Sequence, residues 1–223
     1  MKRVILFAGH YGSGKTNIAV NYALHMAKAG LPTAFLDIDI VNPYYRAKDS
    51  EELLAQNGIE FISSEYANSN VDVPALPDEI YAVLDRPEQY YVLDVGGDDR
   101  GALALGRLSP GIAEENNFEM LFVYNASRPL TSDTEGALEV ADEILAACHL
   151  PFTGIVNNTN IGKETTAETV IAGYEKAKAV ADAMGLPIVM NTVRADLVPA
   201  LEEKIPDLFP LTLQNKRLYG AQS

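Results

Sequence analysis

Short runs of apolar residues alternate along the chain with longer stretches in which apolar positions recur at helical spacing. The runs are apolar nearly end to end, which is typical of strands buried on both faces of a parallel sheet. We therefore predict strands at 3–8, 33–38, 59–63, 90–95, 118–124, 152–157 and 187–190. Strands that alternate with helices predict an α/β fold, a doubly wound, mostly parallel sheet of about seven strands flanked by helices.

Helical spacing predicts helices between these strands, at 15–29, 50–57, 77–85, 131–148 and 165–184. Asp49 followed by Glu52 resembles a capping box at the start of the second helix. The polar stretch 64–77 is predicted to be a surface loop. Because no repeat and no Gly/Ser-rich linker interrupts the chain, we expect a single domain spanning 1–223.

A glycine-rich segment follows the first predicted strand and reads Gly9-His10-Tyr11-Gly12-Ser13-Gly14-Lys15-Thr16. It matches the phosphate-binding pattern G-x-x-x-x-G-K-[ST] between a strand and a helix. Glycines let backbone N–H groups approach phosphates, and the helix N-terminus adds positive potential. We expect this segment, the P-loop, to bind a nucleotide, with Lys15 on the β- and γ-phosphates and Thr16 on Mg²⁺.

Carboxylates follow two other predicted strands. Asp37 and Asp39 come at the end of the second strand, and Asp94 ends the fourth, with Gly97 three residues later. Because doubly wound proteins keep their sites at the carboxyl edge of the sheet, we expect these three aspartates to help Thr16 hold Mg²⁺. Gly97 is expected to present its N–H to the γ-phosphate. The alternative for Asp37 or Asp39 is the capping of a turn.

The net charge and the cysteine content argue against several classes of binding site. Seventeen Lys and Arg against 31 Asp and Glu give a net charge of −14, which repels nucleic acid and anionic membrane surfaces. The single cysteine excludes an internal disulfide and a multi-cysteine metal site within one chain. No apolar run is long enough to span a bilayer. We therefore expect a cytoplasmic protein that binds neither nucleic acid nor membranes.

The three motifs together resemble the MinD/ParA/Mrp group (CobQ/CobB/MinD/ParA-type) of P-loop ATPases. The resemblance lies in Gly9–Thr16, in the D-x-D-x-x-x-P segment from Asp37 to Pro43, and in Asp94–Gly97. It implies ATP and Mg²⁺ as cofactors, a protein partner and a possible nucleotide-dependent homodimer. By the same resemblance, Asp39 polarises the attacking water within switch I, and Gly97 belongs to switch II.

One residue departs from the pattern of that group. His10 stands where the group has a signature lysine that reaches the partner's phosphates. A histidine is a weaker substitute for a fixed cation, because its charge is partly lost near pH 7. Arg46, Arg100 and Arg128 are other candidate cations, but each is expected to be a surface residue.

The segment Gly154–Asn160 closes a late strand at the position where the relatives read the purine. GTPases of the wider class carry N-K-x-D there, whereas this chain has Asn160 in place of the aspartate. Loss of that carboxylate removes the paired acceptor for guanine and favours ATP. Asn157 is the expected base contact, and its alternative role is to cap the loop.

The leading hypothesis is a Mg²⁺-dependent ATPase switch in which Lys15 and Asp39 are catalytic. ATP would order the segments 39–46 and 96–100, and a protein partner would read that state. One alternative is an ATP-dependent small-molecule kinase or ligase resembling dethiobiotin synthetase, with Asp39, Arg46 and tyrosines forming the acceptor pocket. Another is a nucleotide-gated binding module that hydrolyses little ATP.

Overall fold

The fold is described from a computed structural model, which covers residues 1–38, 50–63, 78–96 and 105–212. Its strands are β1 Val4–Ala8, β2 Thr33–Ile38, β3 Glu60–Ser63, β4 Tyr90–Val95, β5 Phe118–Tyr124, β6 Gly154–Asn157, β7 Ile188–Arg194 and β8 Leu208–Leu211. They form one sheet of eight strands in the order β3-β2-β4-β1-β5-β6-β7-β8. Every neighbouring pair is parallel, which confirms the predicted α/β fold and adds one strand to it.

The helices lie between the strands in chain order. They are α1 Lys15–Lys28, α2 Glu51–Gln56, α3 Ala82–Asp85, α4 Ser109–Glu115, α5 Thr134–Cys148, α6 Ala167–Met184 and α7 Val198–Leu201. The helix predicted at 77–85 is a 3₁₀ turn, Asp78–Tyr81, followed by α3. Asp49 of the predicted capping box and the predicted loop 64–77 lie outside the described residues.

The two faces of the sheet carry separate apolar clusters. In β1, Val4, Leu6 and Ala8 belong to one cluster, and Ile5 and Phe7 belong to the other. Because both faces of this strand are buried, all of its residues are apolar. Helices α4, α5 and α6 contribute to the first cluster, and α1 and α2 to the second. The sheet is therefore covered by helices on both faces. A ligand-binding site is expected at the carboxyl ends of the strands, where the loops lie.

The last strand, β8, was not among the sequence predictions because Pro210 interrupts its apolar run. It lies at the edge of the sheet beside β7, where Pro210 is in register with Val193. A proline is tolerated there, since an edge strand leaves one side of its backbone unpaired. The Asn21 side chain of α1 holds the end of β8: its Nδ2 donates to Thr212 O at 3.1 Å, and its Oδ1 accepts from Thr212 N at 2.9 Å.

Replacing Asn21 with Ala is expected to lower the free energy of unfolding by about 1–3 kcal/mol, because both backbone groups of Thr212 lose their partner. Asn21 is only 9% exposed, so water replaces the amide poorly. Urea unfolding of the variant measures the loss. The control is Gln56→Ala on the exposed side of α2, which we expect to change the stability by less than about 0.5 kcal/mol. Equal effects of the two substitutions would contradict a stabilising role for the hydrogen bonds between Asn21 and Thr212.

Candidate nucleotide-binding site

The P-loop, Gly9–Thr16, connects β1 to α1 at the centre of the sheet. Two of its glycines have no room for a side chain. A Cβ at Gly9 would lie 2.5 Å from Val123 O, and a Cβ at Gly14 would lie 2.2 Å from Asn158 Nδ2. Gly14 also has φ +95°, in the left-handed region that side chains disfavour. The pattern therefore requires glycine here for close packing as well as for access to a ligand.

Several polar groups of the P-loop are buried. Lys15 is 5% exposed, and its Nζ donates to His10 O at 3.3 Å, within the loop itself. Ser13 is fully buried, and neither its Oγ nor His10 Nδ1 has a hydrogen-bond partner among the described residues. Buried polar atoms without partners are uncommon and call for an explanation such as a ligand. Tyr11, in contrast, is 53% exposed.

The predicted metal-binding residues Thr16, Asp37 and Asp94 are brought to one place. Thr16 Oγ1 donates to Asp94 Oδ2 at 2.5 Å, and Asp94 is only 1% exposed. Asp37 lies directly beside Asp94 in the register of β2 and β4, and it is 7% exposed. Asp39 and Gly97, the other predicted residues of this corner, lie outside the described residues.

This corner fits Mg²⁺. Mg²⁺ is usually held by one or two protein oxygens together with waters and substrate phosphates. A buried hydroxyl next to a buried carboxylate supplies such oxygens. Among the described residues no group of three or more His, Cys, Asp or Glu side chains could hold a metal ion by itself. Thr16 and Asp94, with Asp37 beside them, are therefore the residues that would hold Mg²⁺ next to a nucleotide.

The loop after β6 is an internal hydrogen-bond network. Asn157 is 1% exposed; its Oδ1 accepts from the N–H and hydroxyl of Thr159, and its Nδ2 donates to Asn191 Oδ1 at 3.0 Å. Asn157 thus holds the loop together, and its contact with a base stays a prediction. The next residue, Asn158, ties this loop to the P-loop, because its Nδ2 donates to Ser13 O at 2.6 Å.

Asn158 is a site residue that the sequence analysis did not single out. The two bonded residues are 145 positions apart, and no local pattern joins them. Asn158 Oδ1 also accepts from Thr192 Oγ1 at 2.6 Å, which fixes the amide orientation. The P-loop and the β6 loop are therefore joined directly, so a ligand on the first is placed relative to the second.

Asn160 and the end of β7 form the outer part of this loop cluster. Asn160 Oδ1 accepts from Gly162 N at 3.2 Å, and its Nδ2 donates to Asn158 O at 2.7 Å. Arg194 pairs with Asp196, with Nε 2.5 Å from Oδ1, and the bond from the guanidinium lowers the pKa of Asp196. Both members of this pair are engaged with each other rather than directed to a ligand.

Comparisons with solved structures show which fold this is. The cell division protein FtsY from Thermotoga maritima is 20% identical, with a TM-score of 0.60 over 86% of this chain and 62% of that one. FtsY from Mycoplasma mycoides is 16% identical, with a TM-score of 0.59 over 86% and 60%. The signal recognition particle 54 kDa protein from Aeropyrum pernix, in complex with GDP, is 21% identical, with a TM-score of 0.54 over 85% and 41%.

The chain has the P-loop NTPase fold. It spans about three fifths of the length of the two FtsY structures, 62% and 60%. No protein-family model and no curated protein matches its sequence. In the part of the chain that the structure describes, no helix is long and apolar enough to cross a membrane.

Proposed function

We propose that the protein is a Mg²⁺-dependent nucleotide switch of the MinD/ParA/Mrp type, which binds ATP, hydrolyses it slowly and acts on a protein partner in the cytoplasm. The observation that carries the proposal is the 2.5 Å contact of Thr16 Oγ1 with Asp94 Oδ2 at the end of the P-loop. This contact joins the predicted metal-binding hydroxyl to the predicted metal-binding carboxylate. The buried Lys15 beside it supplies the positive charge that a polyphosphate needs.

Each residue of the site has a distinct task in this proposal. The P-loop N–H groups and Lys15 bind the β- and γ-phosphates, and Thr16, Asp37 and Asp94 form the metal-binding corner. When bound, Mg²⁺ neutralises part of the phosphate charge. Asp39 orients the attacking water, and Gly97 presents its N–H to the γ-phosphate. The role of Asp39 rests on the resemblance alone, and that of Gly97 on its place three residues after Asp94.

The loop after β6 supports a preference for ATP over GTP. Guanine recognition in N-K-x-D proteins uses a carboxylate that accepts two base N–H groups. Asn160 carries an amide there, and its single oxygen already accepts from Gly162 N. A guanine would leave buried donors unpaired, at a cost of about 1–3 kcal/mol. GTP is the competing nucleotide, since the Aeropyrum pernix structure was solved with GDP.

Phosphate release from Mg-ATP by the purified protein is expected to be slow but above background, and GTP is expected to be the poorer substrate. A matched series comprises the unmodified chain, Asp39→Ala and Gln56→Ala. Because Asp39 is expected on the attacking water and Mg²⁺ and not on phosphate, Asp39→Ala should retain ATP binding and lose phosphate release. Gln56→Ala, an exposed change on α2, should match the unmodified chain.

Other outcomes of the same series would redirect the assignment. Faster release from GTP would overturn the proposed base preference. Undiminished release by Asp39→Ala would remove the role proposed for that carboxylate. ATP binding without release would contradict intrinsic hydrolysis, and would favour the nucleotide-gated binding module or an acceptor-dependent kinase. Phosphate release on addition of a small-molecule acceptor would then identify the kinase.

A further inference from the structure

Arg128 lies against the P-loop from the neighbouring strand. It follows β5, which pairs with β1, so the loops after these two strands are adjacent. A Cβ built at Gly12 would lie 3.7 Å from Arg128 Nε and 3.9 Å from its Cδ and Cζ. An added Cβ would be in ordinary van der Waals contact, so the guanidinium lies beside the middle of the P-loop with room for about one methyl group between them. Arg128 is partly exposed, in keeping with the expected surface position, but its Nε is buried.

The charge of Arg128 is not neutralised by the described residues. Its Nε is buried and has no hydrogen-bond partner among them, and none of their ion pairs includes it. This is unusual in a chain with 31 acidic and 17 basic residues. Asp133, the acidic residue closest to it in sequence, caps α5 by accepting from Gly136 N at 2.9 Å. A buried cationic nitrogen without a partner is costly unless an anion joins it.

The loop that carries Arg128 is held rigidly. Asn125 Oδ1 accepts from Ser127 N at 2.9 Å, and Asn125 O accepts from Arg128 N at 3.1 Å and from Thr131 Oγ1 at 2.7 Å. The following proline restricts Arg128 to extended backbone, with φ −104° and ψ 139°. The backbone of Arg128 is thus fixed next to the P-loop before any ligand arrives, which lowers the entropy lost on binding.

We infer that Arg128 is a phosphate-binding residue of this site, and that its guanidinium contacts the terminal phosphates of a nucleoside triphosphate from within the same chain. This inference rests on the proposed nucleotide-binding function. Gly12 lies in the part of the P-loop whose N–H groups face the phosphates. The planar fork of arginine matches two phosphate oxygens at once, which a lysine ammonium does not. Arg128 therefore adds affinity for the terminal phosphates of a triphosphate, which a monophosphate lacks.

The test compares Arg128→Ala, Arg128→Lys and the control Arg86→Ala. Arg86 pairs with Glu60 near the amino ends of β3 and β4, so its loss changes the net charge equally but far from the P-loop. Calorimetric titration with Mg-ATP, Mg-ADP and AMP gives three affinities for each variant. We expect Arg128→Ala to weaken ATP binding by about 10–100-fold and AMP binding by less than about threefold. Arg128→Lys should recover part of the loss, and Arg86→Ala should bind as the unmodified chain does.

The contrary outcomes separate this inference from the function on which it rests. If the unmodified chain binds ATP and Arg128→Ala binds it equally well, the inference is wrong and the proposed function stands. A parallel loss of ATP, ADP and AMP binding with a lowered unfolding temperature would assign Arg128 a structural role instead and would also overturn the inference. Absence of ATP binding by the unmodified chain would overturn the proposed function, and the inference with it.

Discussion

Replacing Lys15 with Ala is expected to raise the dissociation constant for Mg-ATP by about 100-fold or more, which abolishes the signal in a calorimetric titration. Lys15 is the first residue of α1 and is 5% exposed, so its ammonium is held near the P-loop backbone rather than in water. Two charge-assisted contacts with phosphates, each worth about 1.5–3 kcal/mol, account for the size of the effect. Adenosine, which has no phosphates, should bind equally to both proteins.

Lys28→Ala is the matched control for this substitution. Lys28 ends the same helix, is exposed, and carries the same charge. Its removal should change the ATP affinity by less than about twofold, since an exposed charge a helix length away is screened by salt. If Lys15→Ala bound Mg-ATP as tightly as Lys28→Ala does, Gly9–Thr16 would not be a nucleotide site, whatever its sequence pattern.

The central strands could be predicted because strands that are buried on both faces are recognisable from their own apolar residues. β1, β2, β4 and β5 are covered on both faces, so nearly every residue in them is apolar. β8 could not be predicted in this way, because its four residues include Pro210 and its place depends on β7. Helix α4 was missed for a related reason: it begins Ser-Pro-Gly, and these residues resemble a turn when they are read without their neighbours.

Some residues of the candidate site could likewise be predicted from the sequence, and others could not. The P-loop and the strand-end carboxylates could be predicted, since a motif is local and the carboxyl ends of parallel strands share one edge of the sheet. That argument also accounts for Asp37 lying beside Asp94. The position of strand ends does not reveal which side chains from distant parts of the sequence lie against the P-loop. The link of Asn158 to Ser13 and the position of Arg128 beside Gly12 belong to the tertiary structure. Asn158 was not singled out from the sequence, and Arg128 was only one of three candidate cations.

Gly14→Ala is expected to lower the free energy of unfolding by about 2–4 kcal/mol and to remove most ATP binding. The left-handed φ of +95° strains any side chain at this position. In addition, the new methyl group would lie 2.2 Å from Asn158 Nδ2, so Asn158 must move. That movement breaks its bonds to Ser13 O and Thr192 Oγ1, both 2.6 Å long and buried. Urea unfolding and an ATP titration measure the two effects.

Gly30→Ala separates the backbone strain from the contact with Asn158. Gly30 has φ +82° at the end of α1, close to the value at Gly14, but nothing lies within 4 Å of its added Cβ. We therefore expect it to lose only about 1 kcal/mol, the strain term, and to keep ATP binding. The difference between the two variants is then the energy of the link between the P-loop and the β6 loop. Equal losses of stability, with ATP binding intact in both, would mean that the link contributes nothing and that the two loops bind ligand independently.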